Sequence, residues 1–224
     1  MTTPPDQSQG AATLPPRASM PVEPLLARAD ALAAGARPSD AVGLYREALA
    51  AAPEHVEGRL ALGRLLQRMD EVDQAIEVMG DGLRHAPDQT ELLVLRGGLY
   101  AHQRKYAESD ADLRRVLRLH PSHATAHLEL GRLLWRRGLV AEAAGHLQRA
   151  LEFQPDSARA CYYLGEALNQ ATDLPGARSA LQRAVELDPR DGKAHHLLGR
   201  VLDRLGCPDE ARAMYQRSRE LAGA

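Results

Sequence analysis

Apolar positions along this chain fall at helical spacing. Leu62, Leu66, Leu130, Leu134, Leu198 and Leu202 form pairs four residues apart, and Met79, Leu113, Leu147 and Leu181 follow on later stretches. Separations of three, four and seven residues place such side chains on one stripe of an α-helix. The stripes are punctuated by prolines at 53, 87, 121, 155 and 189, each 34 residues after the last. Aligning on these prolines divides the chain into six units: 22–55, 56–89, 90–123, 124–157, 158–191 and 192–224.

Within a unit the columns differ in size. Position 8 is small throughout (Ala29, Gly63, Gly97, Gly131, Gly165, Gly199), as is position 20 (Ala41, Ala75, Ser109, Ala143, Ala177, Ala211). Position 27 is small in most units (Ala48, Gly82, Val116, Ala150, Ala184, Ser218). Positions 7, 11 and 24 carry the larger residues, although Arg28 and Arg96 interrupt position 7. The pattern predicts two helices per unit. A small residue at position 8 lets the first approach the second, position 20 lies at their crossing, and position 27 receives the next unit. The position-32 proline ends the second helix, because its ring cannot continue the hydrogen-bond ladder. Pro38, Pro175 and Pro208 stand where second helices begin, a place suited to proline.

Composition agrees. Aromatic residues are 4% of the chain, with one Trp and one Phe, against abundant Ala, Leu and Arg, which favours close helix packing over a β-sandwich or barrel. Residues 1–21 contain Pro4, Pro5, Pro15, Pro16 and Pro21 among Gln, Ser and Thr, and are expected to be a disordered tail.

Six tandem copies of this column pattern, over residues 22–224, closely resemble the tetratricopeptide repeat family. The resemblance implies an all-α, right-handed superhelical solenoid of helix-turn-helix repeats. The first (A) helices would line a concave groove, with the second (B) helices outside. It also implies a non-catalytic interaction scaffold or adaptor. A single helix of about 13 residues is roughly 20 Å long and cannot bury its stripe alone, so stability must come from stacking.

No catalytic motif competes with that reading. GxSxG, HExxH, P-loop and Rossmann glycine patterns are all absent, and no enzyme activity or cofactor is expected. The histidines at 120, 123, 127, 195 and 196 suggest a metal site. However, His127 and His195 share position 4 with Leu25, Leu93 and Cys161, which makes it a packing column, and no metal is expected. Cys161 and Cys207 form no CxxC pair and read as free thiols.

The resemblance places positions 2, 5, 9, 12 and 13 of each A helix on the groove. Arg64, Arg132 and Arg200 share position 9, while Arg68, Arg136 and Arg204 share position 13, one helical turn further on. In units 2–6 those five positions hold eight basic residues, including Arg159 and Lys193, against four acidic ones, Glu57, Glu91, Glu166 and Asp203. That is +4, in a chain of net charge −2. Glu23 and Asp30 make the N-terminal end acidic. Trp135, Tyr162 and Asn169 fall on the same surface, and Arg with Trp and Tyr is the composition of an interaction hot spot. The candidate groove residues are therefore Arg64, Arg68, Arg132, Trp135, Arg136, Arg159, Tyr162, Asn169, Arg200 and Arg204.

The expected partner is a protein or peptide segment, extended or helical, with an acidic bias. Nucleic acid is not expected, given two Lys and net charge −2. The chaperone-tail clamp known in this family is not expected either: positions 5 and 9 read Leu26/Asp30, Leu60/Arg64 and Leu128/Arg132 instead of its Lys and Asn. Residues 1–20 show no apolar signal segment, and no stretch is long enough to span a bilayer, so the expected location is cytoplasmic. Two alternatives remain open. One is self-assembly through the last unit, with Ala211, Tyr215 and Ser218 uncovered. The other is a role as an assembly factor for a larger bacterial complex.

Overall fold

A computed structural model describes residues 21–35 and 37–223. Of the expected tail at 1–21, residues 1–20 lie outside the described residues, and Pro21 directly precedes the first helix. Twelve α-helices follow one another, in pairs: Val22–Ala34 and Pro38–Ala51 (α1, α2), Val56–Arg68 and Val72–His85 (α3, α4), Thr90–His102 and Tyr106–Leu119 (α5, α6). The second half repeats this with Ala124–Arg136 and Val140–Phe153 (α7, α8), Ala158–Gln170 and Leu174–Leu187 (α9, α10), Gly192–Arg204 and Pro208–Ala222 (α11, α12). Odd-numbered helices are the A helices and even-numbered the B helices. Helix α1 keeps all 13 residues even though Arg28 holds position 7.

Local chemistry sets each boundary. The residue before the position-32 proline has φ between −137° and −130° and ψ between 80° and 86° in all five connectors, as steric clash with the proline ring requires. Two residues past the proline, position 34 caps the next A helix. His55 Nδ1 accepts the Gly58 N–H at 3.0 Å and His123 Nδ1 that of Ala126 at 3.1 Å. Ser157 and Asp191 do the same in the last two units. Inside units 2–6 the chain turns through a left-handed residue at position 15. Gly138 (φ 77°) and Gly206 (φ 75°) suit that conformation, whereas Asp70, Arg104 and the β-branched Thr172 (φ 67°) are held in it. The following N–H then bonds back to the A helix, as from Asp173 to the Leu168 carbonyl at 2.9 Å.

The core explains the small columns. A Cβ on Gly131 would lie 2.7 Å from Leu147 Cγ, and one on Gly165 2.4 Å from Leu181 Cγ. In units 2–6 position 24 of the B helix thus enters the space left by the missing Cβ at position 8. Position 20 is fully buried in every unit, and Ser109, the polar member, donates to the Gly97 carbonyl at 2.7 Å. In unit 3, where Arg96 breaks the position-7 column, its guanidinium makes two bonds to buried Asp112, at 2.7 and 2.8 Å.

The backbones of A helices in successive units approach one another closely, whereas among the described residues those of the B helices stand further apart and are bridged by long side chains, Arg46 to Gln74 and Arg178 to Glu210. The stack therefore curves with the A helices on its inner face. Its joints alternate in construction. At the first, third and fifth, the position-13 arginine donates to the last-turn carbonyl of the preceding A helix: Arg68 to Ala33 at 3.1 Å, Arg136 to Ala101 at 3.0 Å and Arg204 to Asn169 at 2.9 Å. At the second and fourth, a B-helix arginine instead reaches an aspartate in the connector behind it, Arg115 to Asp88 and Arg183 to Asp156.

The last unit differs at its outer face. Position 28, which packs the next unit, is Leu49, Leu83, Leu117, Leu151 and Val185 in units 1–5, but exposed Arg219 in unit 6. A polar outer face is what closes a solenoid in water. Contrary to the sequence expectation, Ala211 is fully buried against its own unit, and only Tyr215 and Ser218 are partly uncovered.

Two substitutions probe these constraints. Gly165→Ala should lower stability by about 1–3 kcal/mol despite its better helix propensity, because Leu181 is walled in by packed neighbours. Thr172→Gly should raise it by about 1 kcal/mol by relieving the left-handed backbone. Chemical denaturation measures both, and opposite signs would refute the respective packing and turn arguments.

Candidate functional site

The inner face is recessed over α5. Val94, Leu95 and Gly98 floor a central hollow of about 410 Å³, walled by α3 on one side and α7 on the other. A second hollow, of about 730 Å³, lies over the N-terminal halves of α9 and α11 and is closed by the last turn of α12. Arg159 lines both.

The ten candidate residues divide by what their polar groups do. Arg68, Arg136 and Arg204 each give one N–H to a main-chain carbonyl, so part of their function is to fasten neighbouring A helices. Asn169 is buried, and its side-chain oxygen and carbonyl both accept from Arg204. Arg132 and Arg159 converge on one carboxylate, that of Glu129, at 2.5 and 3.0 Å. The Arg132 guanidinium also lies over the Tyr163 ring, 4.9 Å from its centre. Arg64 and Arg200 are exposed in the central and C-terminal hollows respectively, and neither forms an ion pair among the described residues.

Trp135 is half-buried and serves two ends. Its ring packs against two hydrophobic clusters, one that includes Leu130 and Leu134 and one that includes Leu147 and Leu164, and stands 6.2 Å from the Tyr163 ring. Its indole N–H is buried without an acceptor. Removing this side chain would therefore loosen two unit joints as well as alter the inner face. Tyr162 packs edge-on against Tyr163 in the C-terminal hollow. Burial, with the nearby Glu166 charge, pushes its hydroxyl up to about 12, so it stays protonated and able to donate. Burial also raises Glu166 above the ordinary carboxylate range, against the pull of Arg200.

Glu129 is the residue the groove columns missed. It stands at position 6, outside those columns, yet is buried on the inner face between two arginines. Its spacing of three from Arg132 on one helix was a visible signal. With Glu129 included, the central hollow is lined by Arg64, Arg132, Arg136 and Arg159 against Glu91 and Glu129, a balance of +2. The C-terminal hollow carries Arg159, Arg190, Lys193 and Arg200 against Glu166 and Asp191, again +2.

The histidine cluster is built into the packing. His123 caps α7, while buried His127 bonds the Pro121 carbonyl through Nε2 at 2.9 Å and meets His146 at 3.0 Å between Nδ1 atoms. With Nε2 donating to the carbonyl, His127 Nδ1 accepts from His146. Among the described residues no group of three or more His, Cys, Asp or Glu is placed to hold a metal ion. No described helix is long and apolar enough to cross a membrane. Cys161 is fully buried, which pushes its thiol up, and Cys207 precedes α12.

Comparison with known proteins gives one consistent result. Models described as tetratricopeptide repeats match residues 31–97, 103–158, 142–191 and 180–213. Among solved structures, MamA (residues 41 to the end) from Desulfovibrio magneticus RS-1 is 25% identical, with a TM-score of 0.63 over 81% of this chain and 94% of that one. YrrB, a TPR protein with an unusual peptide-binding site, is 20% identical over 79% of this chain and 91% of its own, with a TM-score of 0.58. PilW, a type IV pilus biogenesis factor, is 21% identical over 86% and 90%, with a TM-score of 0.77.

The histidines make stability depend on pH. Burial, then His127 and Arg114, lower the His146 pKa, and burial lowers that of His123. A depressed folded-state pKa means that the unfolded chain binds protons first. The contribution is therefore complete above the unfolded value of about 6.5 and declines as pH falls below it. The melting temperature should drop between about pH 7.5 and 5.5, and His146→Gln should flatten that drop. An equally steep dependence in the variant would contradict the assignment.

Proposed function

The chain belongs to the tetratricopeptide repeat family, and we propose from that premise that it is a non-catalytic scaffold holding a segment of another protein against its inner face. The observation that carries this reading is the pair of hollows on that face. Both have apolar floors, and both are rimmed by cations that outnumber the local carboxylates by two. The segment is accordingly acidic in bias. Guanidinium groups pair well with carboxylates, and Arg132 and Arg159 already do so with Glu129, each holding one of its two oxygens. Membership of a family whose members act through protein contacts, with YrrB as a structural relative that has a peptide-binding site, supports the same class of function.

The candidate residues have unequal roles in this proposal. Arg64, Arg159, Tyr162 and Arg200 face the ligand. Arg132 holds Arg159 and Glu129 in register and contributes a ring-stacked cation. Arg68, Arg136, Arg204 and Asn169 set the curvature of the surface, and Trp135 supports it from beneath. Self-assembly by end-on stacking is the weaker reading, because Arg219 and its neighbours give the last helix a polar outer face.

Panning a displayed random peptide library against the full chain tests the proposal. The expected outcome is enrichment of peptides rich in Asp and Glu, whose binding weakens by about tenfold or more with Arg64→Glu, Arg159→Glu or Arg200→Glu, and with rising salt. Failure to enrich any sequence, or enrichment indifferent to all three substitutions, would overturn it.

A further inference from the structure

Most of the groove arginines are already engaged within the chain, which narrows where a partner's charge can be read. Arg68, Arg136 and Arg204 donate to carbonyls, and Arg132 and Arg159 share Glu129. Among the described residues, Arg190, Lys193 and Arg200 take part in no ion pair, and all three line the C-terminal hollow. Arg64 is the comparable group in the central hollow, where it faces Glu91 and Glu129.

The two hollows differ in their apolar surface too. The central one is floored by the aliphatic Val94 and Leu95 and by Gly98 of α5, none of them aromatic. In the C-terminal one, Tyr162 and Tyr163 form an edge-to-face aromatic wall, with Leu197 opposite and Leu221 of α12 at the end. Tyr162, Tyr163 and Leu221 are only partly covered, so a bulky side chain entering here would remove water from several apolar groups at once. Glu166, whose burial disfavours its charge, offsets less of the surrounding positive field than an exposed carboxylate would.

We propose that the C-terminal hollow is an anchoring subsite for a segment of another protein in which one bulky apolar side chain is flanked by acidic residues. This rests on the groove reading above and adds which end of the groove is read and by what chemistry. The apolar side chain seats between the tyrosine pair and Leu197, while the flanking carboxylates pair with Lys193 and Arg200 on α11 and Arg190 on the connector. A basic or purely polar segment has no complement there.

Fluorescence polarisation with labelled peptides GSDEWEDSG, GSDESEDSG and GSKKWKKSG against the full chain tests the subsite. The first peptide should bind, the second should bind at least about tenfold more weakly, and the third should not bind. Lys193→Glu with Arg200→Glu should weaken the first by about 30-fold or more, while Arg118→Glu on the outer helix α6 should change it by less than about threefold. All of these side chains are exposed, and circular dichroism verifies that the helices persist. Absence of binding by the first peptide, or equal binding of the third, would overturn the proposal. Loss with Arg64→Glu but not with the double variant would also overturn it, by placing the ligand in the central hollow, and would leave the groove reading standing. Failure of library panning, by contrast, removes the groove reading itself.

Discussion

Everything in this solenoid depends on one exchange of volume inside each helix pair, in which a missing or minimal Cβ at position 8 admits the side chain at position 24. Gly131 and Leu147, Gly165 and Leu181, and Gly199 and Tyr215 are successive instances. The exchange brings the two helices close enough for the small position-20 residue to be fully covered. Dispersion contacts fall off steeply with distance, so a gap at this point would lose attraction along the whole pair. Once the pair is tight, its outer ridge of position-27 and position-28 side chains can seat the next A helix. Curvature follows because the backbones of A helices in neighbouring units come closer together than those of the B helices.

The joints carry a second, coarser order. Arginine-to-carbonyl bonds at the first, third and fifth joints alternate with arginine-to-aspartate pairs at the second and fourth. The structural module is therefore a pair of units, 68 residues long in sequence, and the recurring LGRxLxR segments in units 2, 4 and 6 are its visible mark. This bears on function. Three arginines that appear in sequence as a ligand-facing column also complete the last turns of neighbouring helices, where carbonyls lack intrahelical partners. The inner face is consequently less positive in effect than a residue count implies, and its unengaged cations gather toward the C-terminal end.

Helix number, helix boundaries and the core columns were legible in the sequence, because a 34-residue period averages out local exceptions. Pro38 and Pro208 open their helices and Pro175 stands one residue into its own, while position 34 caps the A helices of units 2, 4, 5 and 6. The fate of individual charges was not legible. Whether Arg136 faces a ligand or fastens Ala101 depends on a joint 35 residues away. Glu129 lay outside the expected groove positions, although its spacing from Arg132 was available. Arg96 appeared to be a flaw in the position-7 column, and only the fold brings Asp112 across the pair to meet it. Trp135 read as a groove residue from its column, but its ring is wedged between two hydrophobic clusters, since a large side chain at a crowded joint is covered from both sides.

The central claim is that the inner face, and not the outer helices or the terminal edge, meets the partner. Hydrogen–deuterium exchange of the full chain, with and without a peptide selected by panning, tests it most directly. Slower exchange concentrated in the A helices, greatest in α9 and α11 and extending to the connector before α11 and the last turn of α12, is the result this account predicts. Protection of α8, α10 or the outer face of α12 with the A helices unchanged would contradict it.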